Sequence, residues 1–167
     1  MIRTYAVGNV NTASRLDEHG LVNPLWITLT PLGSATALWR DVMCDPINPD
    51  KVIIVGALND GFNIQVSSDA GVTWAVPAGN WDGTTSYHEL WYVDTNVIWA
   101  VGDSGAVVLS TDAGVTFNHV PTVIGFSVPG DYIWTAGIHA LNSLIAVVIG
   151  SKSSLKSEQS TYVWKTI

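Results

Sequence analysis

A short apolar segment that ends in glycine recurs four times along the chain, and this repeat constrains the fold more than any other feature. The marker segments lie near residues 5–8, 52–56, 97–102 and 144–150. Their final glycines are 48, 46 and 48 residues apart. A period of this length is typical of architectures in which each repeat forms one supersecondary unit and stacks on its neighbours. We therefore expect one domain over residues 1–167, built from about 3.5 repeats of about 47 residues.

Each repeat is predicted to contain four short strands. In the two middle repeats a turn follows the marker segment, at residues 59–61 or 103–105, and leads into a second apolar run. Glycine in such a turn is typical of a hairpin because it adopts positive φ. A further candidate strand precedes the marker at residues 38–43, 88–93 and 138–141. Four-stranded antiparallel units with regular turn signals predict an all-β fold of the propeller type, in which each unit is a blade.

Two eight-residue segments, which we call the Asp turns, follow the second apolar runs. Asp turn 1 covers residues 67–74 and Asp turn 2 covers residues 110–117. An aspartate can accept backbone N–H bonds and fix a tight turn, glycine adopts conformations that other residues resist, and the closing aromatic ring buries a large area. This pattern predicts a structural role for ten residues: Ser67, Asp69, Gly71, Thr73, Trp74, Ser110, Asp112, Gly114, Thr116 and Phe117.

The two Asp turns resemble the Asp box, S-x-D-x-G-x-T-W, of BNR-repeat β-propellers. That family includes sialidases, sortilin-like receptors, photosystem II assembly factors and many phage virion proteins. Phe117 departs from the pattern, which has tryptophan at this position. The resemblance implies that each Asp turn joins the third and fourth strands of a blade at its periphery, away from any active site.

The first and last repeats are less regular. The first has no Asp turn, although residues 17–20 are interpreted as a degenerate one, and residues 26–29 occupy the position of a fourth strand. Propellers close with about four to eight blades. Three interpretations of about 3.5 repeats therefore stay open: truncation at Ile167, closure as a homo-oligomer, or a partial propeller docked on a larger assembly.

Composition excludes several classes of function. The formal charge is -7, and seven lysines and arginines form no basic stripe, so we expect no nucleic-acid partner. The single cysteine, Cys44, excludes an internal disulfide. Residues 1–10 lack the pattern of a signal peptide, and the apolar runs are too short to span a membrane. We therefore expect a soluble protein without an export signal.

The sequence predicts no catalytic residue, metal site or cofactor. Residues 102–105 match the string around a serine-protease nucleophile, but the equivalent residues of the previous repeat form a turn, and no separate histidine and aspartate support a triad. A sialidase places its arginines on different blades, whereas Arg3, Arg15 and Arg40 all lie in the first quarter of the chain. The four histidines show no metal-ligand spacing.

Tryptophans are the remaining candidates for a binding site. Trp26, Trp74 and Phe117 occupy equivalent positions after a hairpin, which predicts packing between blades. Trp81 differs because it lies in a glycine-rich loop, and it is our candidate ligand contact.

The leading hypothesis is a non-enzymatic structural or interaction module that acts through contacts with other protein chains. Within the resembled family, phage virion proteins fit best, as tail, fibre or capsid-associated components. The alternative is a fragment of a carbohydrate-binding or sialidase-like glycosidase propeller, whose partner is a glycan. An assembly factor of the photosystem II type ranks lowest, because those proteins carry basic patches that this acidic chain lacks.

Overall fold

The computed structural model describes residues 2–18, 25–57, 61–121, 132–153 and 161–163. Regular structure within these ranges consists of β-strands. The strands are β1 Ile2–Gly8, β2 Thr12–Glu18, β3 Trp26–Leu29, β4 Leu38–Cys44, β5 Val52–Ala57, β6 Ile64–Ser67, β7 Tyr87–Tyr92, β8 Ile98–Gly102, β9 Val107–Ser110, β10 Asn118–His119, β11 Tyr132–Ala140, β12 Ala146–Ser153 and β13 Thr161–Val163.

The strands form four antiparallel sheets, which we call blades 1 to 4. Their strand orders are β1-β2-β3, β4-β5-β6, β7-β8-β9-β10 and β11-β12-β13. A bridge between Val66 and Ala75 supplies the fourth strand position of blade 2. Successive blades touch through their inner strands, since β1 contacts β4, β4 contacts β7, and β7 contacts β11. The predicted all-β, blade-by-blade organisation is therefore present in the described residues.

The glycine that marks the second, third and fourth repeats faces a bulge in the neighbouring strand. Gly56 pairs with β4 at a register shift, and Gly102 pairs with β7 at an equivalent shift. A Cβ atom on Gly56 would overlap the carbonyl oxygen of Leu38, and one on Gly102 would overlap that of Ser86. The register also shifts in β11 next to its pairing with Gly150. In blades 2, 3 and 4 the spacing of the glycines thus follows the spacing of the bulges, whereas Gly8 pairs with Thr12 in a regular register.

Two sequence predictions about strand limits are wrong. Asp17 and Glu18 belong to β2 and not to a turn, because β2 pairs with β1 along its full length; the rest of the predicted turn, residues 19–20, lies outside the described residues. Strand β11 begins at Tyr132, six residues before the predicted start at Ile138, because its pairing with β12 continues beyond the bulge as far as Ser153.

The hydrophobic core lies between blades. Alternate residues of β5 point to opposite sides: Val52 and Ile54 pack toward blade 1, whereas Ile53 and Val55 pack toward blade 3. All four side chains are fully buried. A third cluster joins blade 3 to blade 4 around Trp99. Because side chains alternate across a strand, each central blade is apolar on both faces.

No helix among the described residues is long and apolar enough to cross a membrane.

Candidate functional site

In Asp turn 1 the side chains bond to one another and to the backbone of the turn. The hydroxyl of Ser67 donates to Asp69 Oδ1 over 2.8 Å and accepts the Gly71 N–H over 2.8 Å. Asp69 accepts the Thr73 N–H at Oδ1, 2.8 Å, and the Thr73 hydroxyl at Oδ2, 2.6 Å. Both carboxylate oxygens of Asp69 are therefore held inside the turn.

Asp turn 2 repeats this network. The Ser110 hydroxyl donates to Asp112 over 2.9 Å and accepts the Gly114 N–H over 2.8 Å. Asp112 accepts the N–H and the hydroxyl of Thr116 over 2.9 and 2.6 Å. Phe117 is fully buried, and Trp74, at the equivalent position of Asp turn 1, is also buried. The two turns are thus built in the same way, despite the change from tryptophan to phenylalanine.

The hydrogen bonds keep both aspartates ionised at neutral pH. Bonds from the side chain and backbone of Thr73 lower the pKa of Asp69 to about 2. Burial acts to raise the pKa of Asp112, but the bonds from Thr116 and Ser110 outweigh it, and the pKa is lowered. A carboxylate stabilised in its charged form by fixed donors is a poor proton donor at neutral pH. Asp69 and Asp112 therefore act in turn formation.

Each Asp turn is attached to the turn between the first two strands of its own blade. The N–H of Ala70 donates to the carbonyl of Asp50 over 2.7 Å, and the N–H of Ala113 donates to the carbonyl of Asn96 over 2.9 Å. In blades 2 and 3, the Asp turn and the turn between the first two strands therefore lie side by side at the same end of the blade.

Large aliphatic side chains are exposed in these turns, and we call five of them the turn-tip residues. Their exposed fractions lie between 64% and 81%. Val72 and Val115 occupy the same position in the two Asp turns, and the others lie in turns between first and second strands. The turn-tip residues are Ile47, Val72, Val115, Leu141 and Leu144. Exposed aliphatic side chains at repeated positions are candidates for contact with another macromolecule.

A pair of carboxylates on the inner strands links neighbouring blades. Asp41 of β4 accepts the N–H of Leu90 in blade 3 over 2.8 Å, and Glu89 of β7 accepts the N–H of Ile138 in blade 4. Burial raises the pKa of Asp41. Burial also raises the pKa of Glu89, and the negative charge of Asp41 raises it further. The sequence reasoning missed this pair as a unit.

The signal for the carboxylate pair was present in the sequence. Asp41 and Glu89 are 48 residues apart, close to the 46 residues between Gly56 and Gly102, the marker glycines of the same two repeats, and each directly follows the bulged residue of its strand. Gly137 has the equivalent position in β11, and a Cβ there would lie 3.3 Å from Glu89 Oε2. Recognising the pair requires knowledge of the bulge, which the sequence pattern does not reveal.

Trp81 is half-buried against the core between blades 2 and 3. Its indole N–H donates to the carbonyl of Pro77 over 3.1 Å, and its ring meets that of Tyr87 edge to face, with centroids 6.0 Å apart. The polar group of Trp81 is therefore used within the chain. A role in ligand contact stays a prediction that would depend on the remaining exposed part of the ring.

The arginines considered for carboxylate binding do not assemble as in a sialidase. Arg3 and Arg15 each pair with Asp17, with nitrogen-to-oxygen distances of 3.0 Å, and Arg3 also pairs with Asp50. Arg40 lies apart from them on β4 and is exposed. The two inner guanidinium groups are thus neutralised by aspartates of the chain itself.

Ser104 is exposed in the turn between β8 and β9 and has φ of 56°. The histidine in this region, His88, pairs with Asp103 over 2.6 Å. Over the described ranges, no group of three His, Cys, Asp or Glu side chains is arranged to hold a metal ion.

Comparison with known proteins identifies the fold. No protein-family model and no curated protein sequence matches the chain. Among solved structures, YCF48 from Cyanidioschyzon merolae matches 98% of this chain at 14% identity, with a TM-score of 0.62. The chain has a β-propeller fold. YCF48 bound to D1 peptide matches 89% of the chain at 16% identity, with a TM-score of 0.57.

An ancestral GH74 enzyme also shares the fold, over 93% of this chain at 14% identity, with a TM-score of 0.59. The propeller chain spans 47% and 44% of the two YCF48 structures and 22% of the GH74 enzyme, so it covers less than half of each. The predicted propeller class is confirmed at the level of fold.

Proposed function

We propose that this propeller chain is a non-enzymatic interaction module that binds other protein chains. The observation that carries the proposal is the exposure of the turn-tip residues, whose exposed fractions lie between 64% and 81%. Polar side chains that could have supplied chemistry, such as Asp69, Asp112 and Arg3, bond within the chain instead. Aliphatic surface at repeated turns favours contact with protein.

A similar solved structure supports a protein partner. YCF48 bound to D1 peptide is similar in fold to this chain and holds a peptide. The same type of scaffold is thus compatible with recognition of a polypeptide. For this chain the partner is a proposal, since fold alone does not specify function.

We further assign the module to a larger particle, as a virion component of the phage tail, fibre or capsid-associated kind that serves adhesion or structure. This step rests on the resemblance of the two Asp turns to the Asp box of BNR repeats, a family that includes many phage virion proteins.

Particle association tests the proposal. Particles from the organism that produces the chain would be purified by sedimentation and probed with an antibody against it. We expect the chain to sediment with particles, and the triple variant Ile47→Ser, Val72→Thr, Val115→Thr to stay in the supernatant. The control is Val10→Thr, because Val10 is exposed at the turn between β1 and β2, away from the turn-tip residues. Wild-type chain found only in the supernatant would contradict the assignment to a particle.

A second candidate function is glycan binding or cleavage, favoured by the carboxylate pair. Asp41 and Glu89 have raised pKa values and lie on adjoining inner strands, and glycosidases use two carboxyl groups with distinct proton affinities. Against it, Asp41 accepts the N–H groups of Val42 and Leu90, one at each oxygen. Incubation with a broad glycan panel, followed by mass spectrometry, distinguishes the candidates: turnover that disappears in Glu89→Gln would replace the interaction proposal with an enzymatic one.

A further inference from the structure

We propose that the turn-tip residues and the carboxylates beside them form a docking surface for a segment of a partner protein that carries both aliphatic and basic side chains. The proposal rests on the proposed function, because it names the chemical class of partner that the module would bind. Two observations carry it: aliphatic side chains at equivalent exposed positions, and an excess of negative charge around them.

Both Asp turns present valine where packing within the chain does not require an aliphatic side chain. Val72 is 66% exposed and Val115 is 65% exposed. The second residue of each Asp turn, Ser68 or Thr111, is also exposed and carries a hydroxyl group instead. Aliphatic side chains exposed at repeated positions favour contact with apolar groups of another molecule.

Exposed apolar residues on β3 do not show this repetition. Trp26, predicted to pack between blades, is 51% exposed, so that prediction is wrong. Phe117 has the same place in the repeat but is buried, because residues 78–80 lie alongside and Ala78 accepts its N–H over 2.8 Å. No described segment covers the outer side of Trp26. Repeated aliphatic exposure is therefore a property of the turn tips.

The backbones of the two Asp turns have the same conformation. Ala70 and Ala113 have φ of 61° and 66°, and the glycine that follows each has φ of 84°. The N–H groups of Ala70 and Ala113 also tie each Asp turn to the first turn of its own blade. Val72 and Val115 are thus held at equivalent places on blades 2 and 3. A preformed surface of this kind loses little conformational freedom on binding.

Carboxylates outnumber cationic groups around the turn tips. Asp69 and Asp112 lie in the Asp turns, and Asp94 is exposed in the turn between β7 and β8. The pKa values of Asp69 and Asp112 are lowered, so both groups are ionised at neutral pH. In the turns that the structure describes at this end of the blades, Lys51 supplies the one positive charge.

The arginines nearest to these turns do not reverse the excess of negative charge. Arg3 pairs with Asp17 and Asp50, and Arg15 pairs with Asp17. Two positive and two negative charges cancel within this group. The charge that remains for a partner to meet is therefore negative.

Negative charge beside aliphatic side chains selects a partner with the complementary pattern. Lysine or arginine side chains would be attracted to the turn carboxylates, and neighbouring aliphatic side chains would cover the valines. A second copy placed tip to tip would bring Asp69 and Asp112 against the same groups, and like charges disfavour this contact. An anionic lipid surface would be repelled for the same reason. The occupant that we infer is a basic, aliphatic segment of another protein.

The probes are three synthetic peptides of equal length, each labelled with fluorescein at one end. The first contains lysine and leucine, the second replaces each lysine by glutamate, and the third replaces each leucine by serine. Binding would be measured by fluorescence anisotropy. We expect saturable binding of the lysine–leucine peptide that weakens as NaCl is added, because salt screens the charges. The other two peptides should bind at least about tenfold more weakly, since each lacks one of the two features.

A double variant tests the aliphatic contribution. Val72→Thr together with Val115→Thr keeps the branched shape but replaces a methyl by a hydroxyl group in each turn, and should weaken binding of the lysine–leucine peptide about tenfold. The matched control is Val10→Thr, because Val10 is 71% exposed but lies in the turn between β1 and β2, at the opposite end of its blade. Circular dichroism and thermal melting would show that both variants fold.

A second variant tests the charge without disturbing its turn. Asp94 and Asn142 each accept two backbone N–H bonds at one side-chain oxygen, at equivalent places in blades 3 and 4. Asp94→Asn should therefore keep the turn, weaken peptide binding about threefold and reduce its dependence on salt. Asp82→Asn is the control, since Asp82 is exposed near the start of β7, at the other end of the blade.

Three outcomes would overturn the proposal: no saturable binding of the lysine–leucine peptide, equal binding of either altered peptide, or binding unchanged by the folded double variant. If the double variant does not fold, amide shifts of Val72 and Val115 in the NMR spectrum of the wild-type chain on addition of peptide provide the same test. Self-association or binding to phosphatidylcholine vesicles that the double variant abolishes, without peptide binding, would assign the surface to a second copy or to a membrane and also overturn it.

Failure of this proposal and failure of the proposed function are distinguishable. A chain that sediments with particles but binds no lysine–leucine peptide would retain its proposed function, and only the class of partner would be wrong. Wild-type chain found only in the supernatant would contradict the assignment to a particle regardless of peptide binding.

Discussion

The side chains of the Asp turns bond to the backbone of the same turn, and this explains why their residue types recur at a fixed spacing. Asp69 and Asp112 each hold a threonine four residues later through two bonds. Both partners of each bond lie within the same eight residues, so these bonds are local to the turn. At the residue scale, the motif therefore stabilises a hairpin.

Replacement of Asp69 tests this stabilisation and its pH dependence. The folded-state pKa of about 2 lies below the ordinary value, so the charged form contributes stability above the unfolded-state pKa that is lost as pH falls from about 4 towards 2. We expect Asp69→Ala to lower the free energy of unfolding by about 1–2 kcal/mol at pH 7 through loss of the turn bonds. Urea unfolding at several pH values should show that the variant loses less stability than the wild type between pH 4 and 2. Parallel pH profiles would contradict this explanation.

Ser104 offers a second test at this scale. It has φ of 56° and precedes Gly105, whose φ is 72°, so both central residues of the turn are left-handed. Asparagine tolerates this conformation and β-branched residues do not. We expect Ser104→Asn to raise the free energy of unfolding by about 0.5 kcal/mol and Ser104→Val to lower it by about 1 kcal/mol. Thermal melting of both variants checks the order, and a stabilising valine would show that the turn has a different geometry.

Individual strands are shaped by the bulges that face the marker glycines. At each bulge a carbonyl oxygen lies against the glycine of the second strand: that of Leu38 in β4, or that of Ser86 just before β7. The bulge also places Asp41 and Glu89, the residues that follow it, on neighbouring inner strands. One local irregularity thus accounts both for a sequence marker and for a contact between blades.

Alanine substitutions at the marker glycines test the role of the bulge. We expect Gly56→Ala and Gly102→Ala to lower the free energy of unfolding by about 1–3 kcal/mol, because the new Cβ overlaps a backbone carbonyl. Gly8→Ala is the matched control, since Gly8 ends the first marker segment but a Cβ there would have no neighbour within 4 Å. Chemical unfolding of the three variants provides the measurement. Equal losses at all three positions would mean that the marker glycines matter for another reason.

Across the whole molecule, blades are joined by apolar clusters and by carboxylates that reach from one blade to the next. Asp41 reaches blade 3, and Glu89 reaches blade 4. Their raised pKa values mean that ionisation of either group is less favourable in the folded chain than in the unfolded one. Stability from these groups therefore increases as pH falls through the folded-state pKa values.

A neutral isostere at Glu89 tests this coupling. Glu89→Gln keeps an oxygen for the Ile138 N–H and removes a charge that burial and Asp41 both disfavour. We expect a small rise in the melting temperature at pH 7 that shrinks as pH falls and the wild-type carboxyl becomes protonated. Glu18→Gln serves as control, since Glu18 lies at the end of β2 in blade 1. A variant that is less stable at pH 7 would show that the charge strengthens the bond between blades more than burial weakens it.

Local signals in the amino-acid sequence were sufficient to predict an all-β repeat, its period and the two hairpins at the Asp turns. These features depend on residues close together in the chain: a glycine that ends an apolar run, or a serine, an aspartate and a threonine within one turn. The close spacing of the groups that interact is the physical reason for this success.

Contacts between residues far apart in the sequence depend on the tertiary structure. Asp41 and Leu90 are 49 residues apart, Arg15 and Ala70 are 55 apart, and neither pairing has a local pattern that would predict it. The different environments of Trp26 and Phe117 depend on whether a segment from a neighbouring blade lies alongside, although the two residues have the same place in the repeat. Burial and pairing between blades depend on how the sheets stack. Stacking brings together residues that are far apart in the chain, and no local sequence pattern predicts which of them will meet.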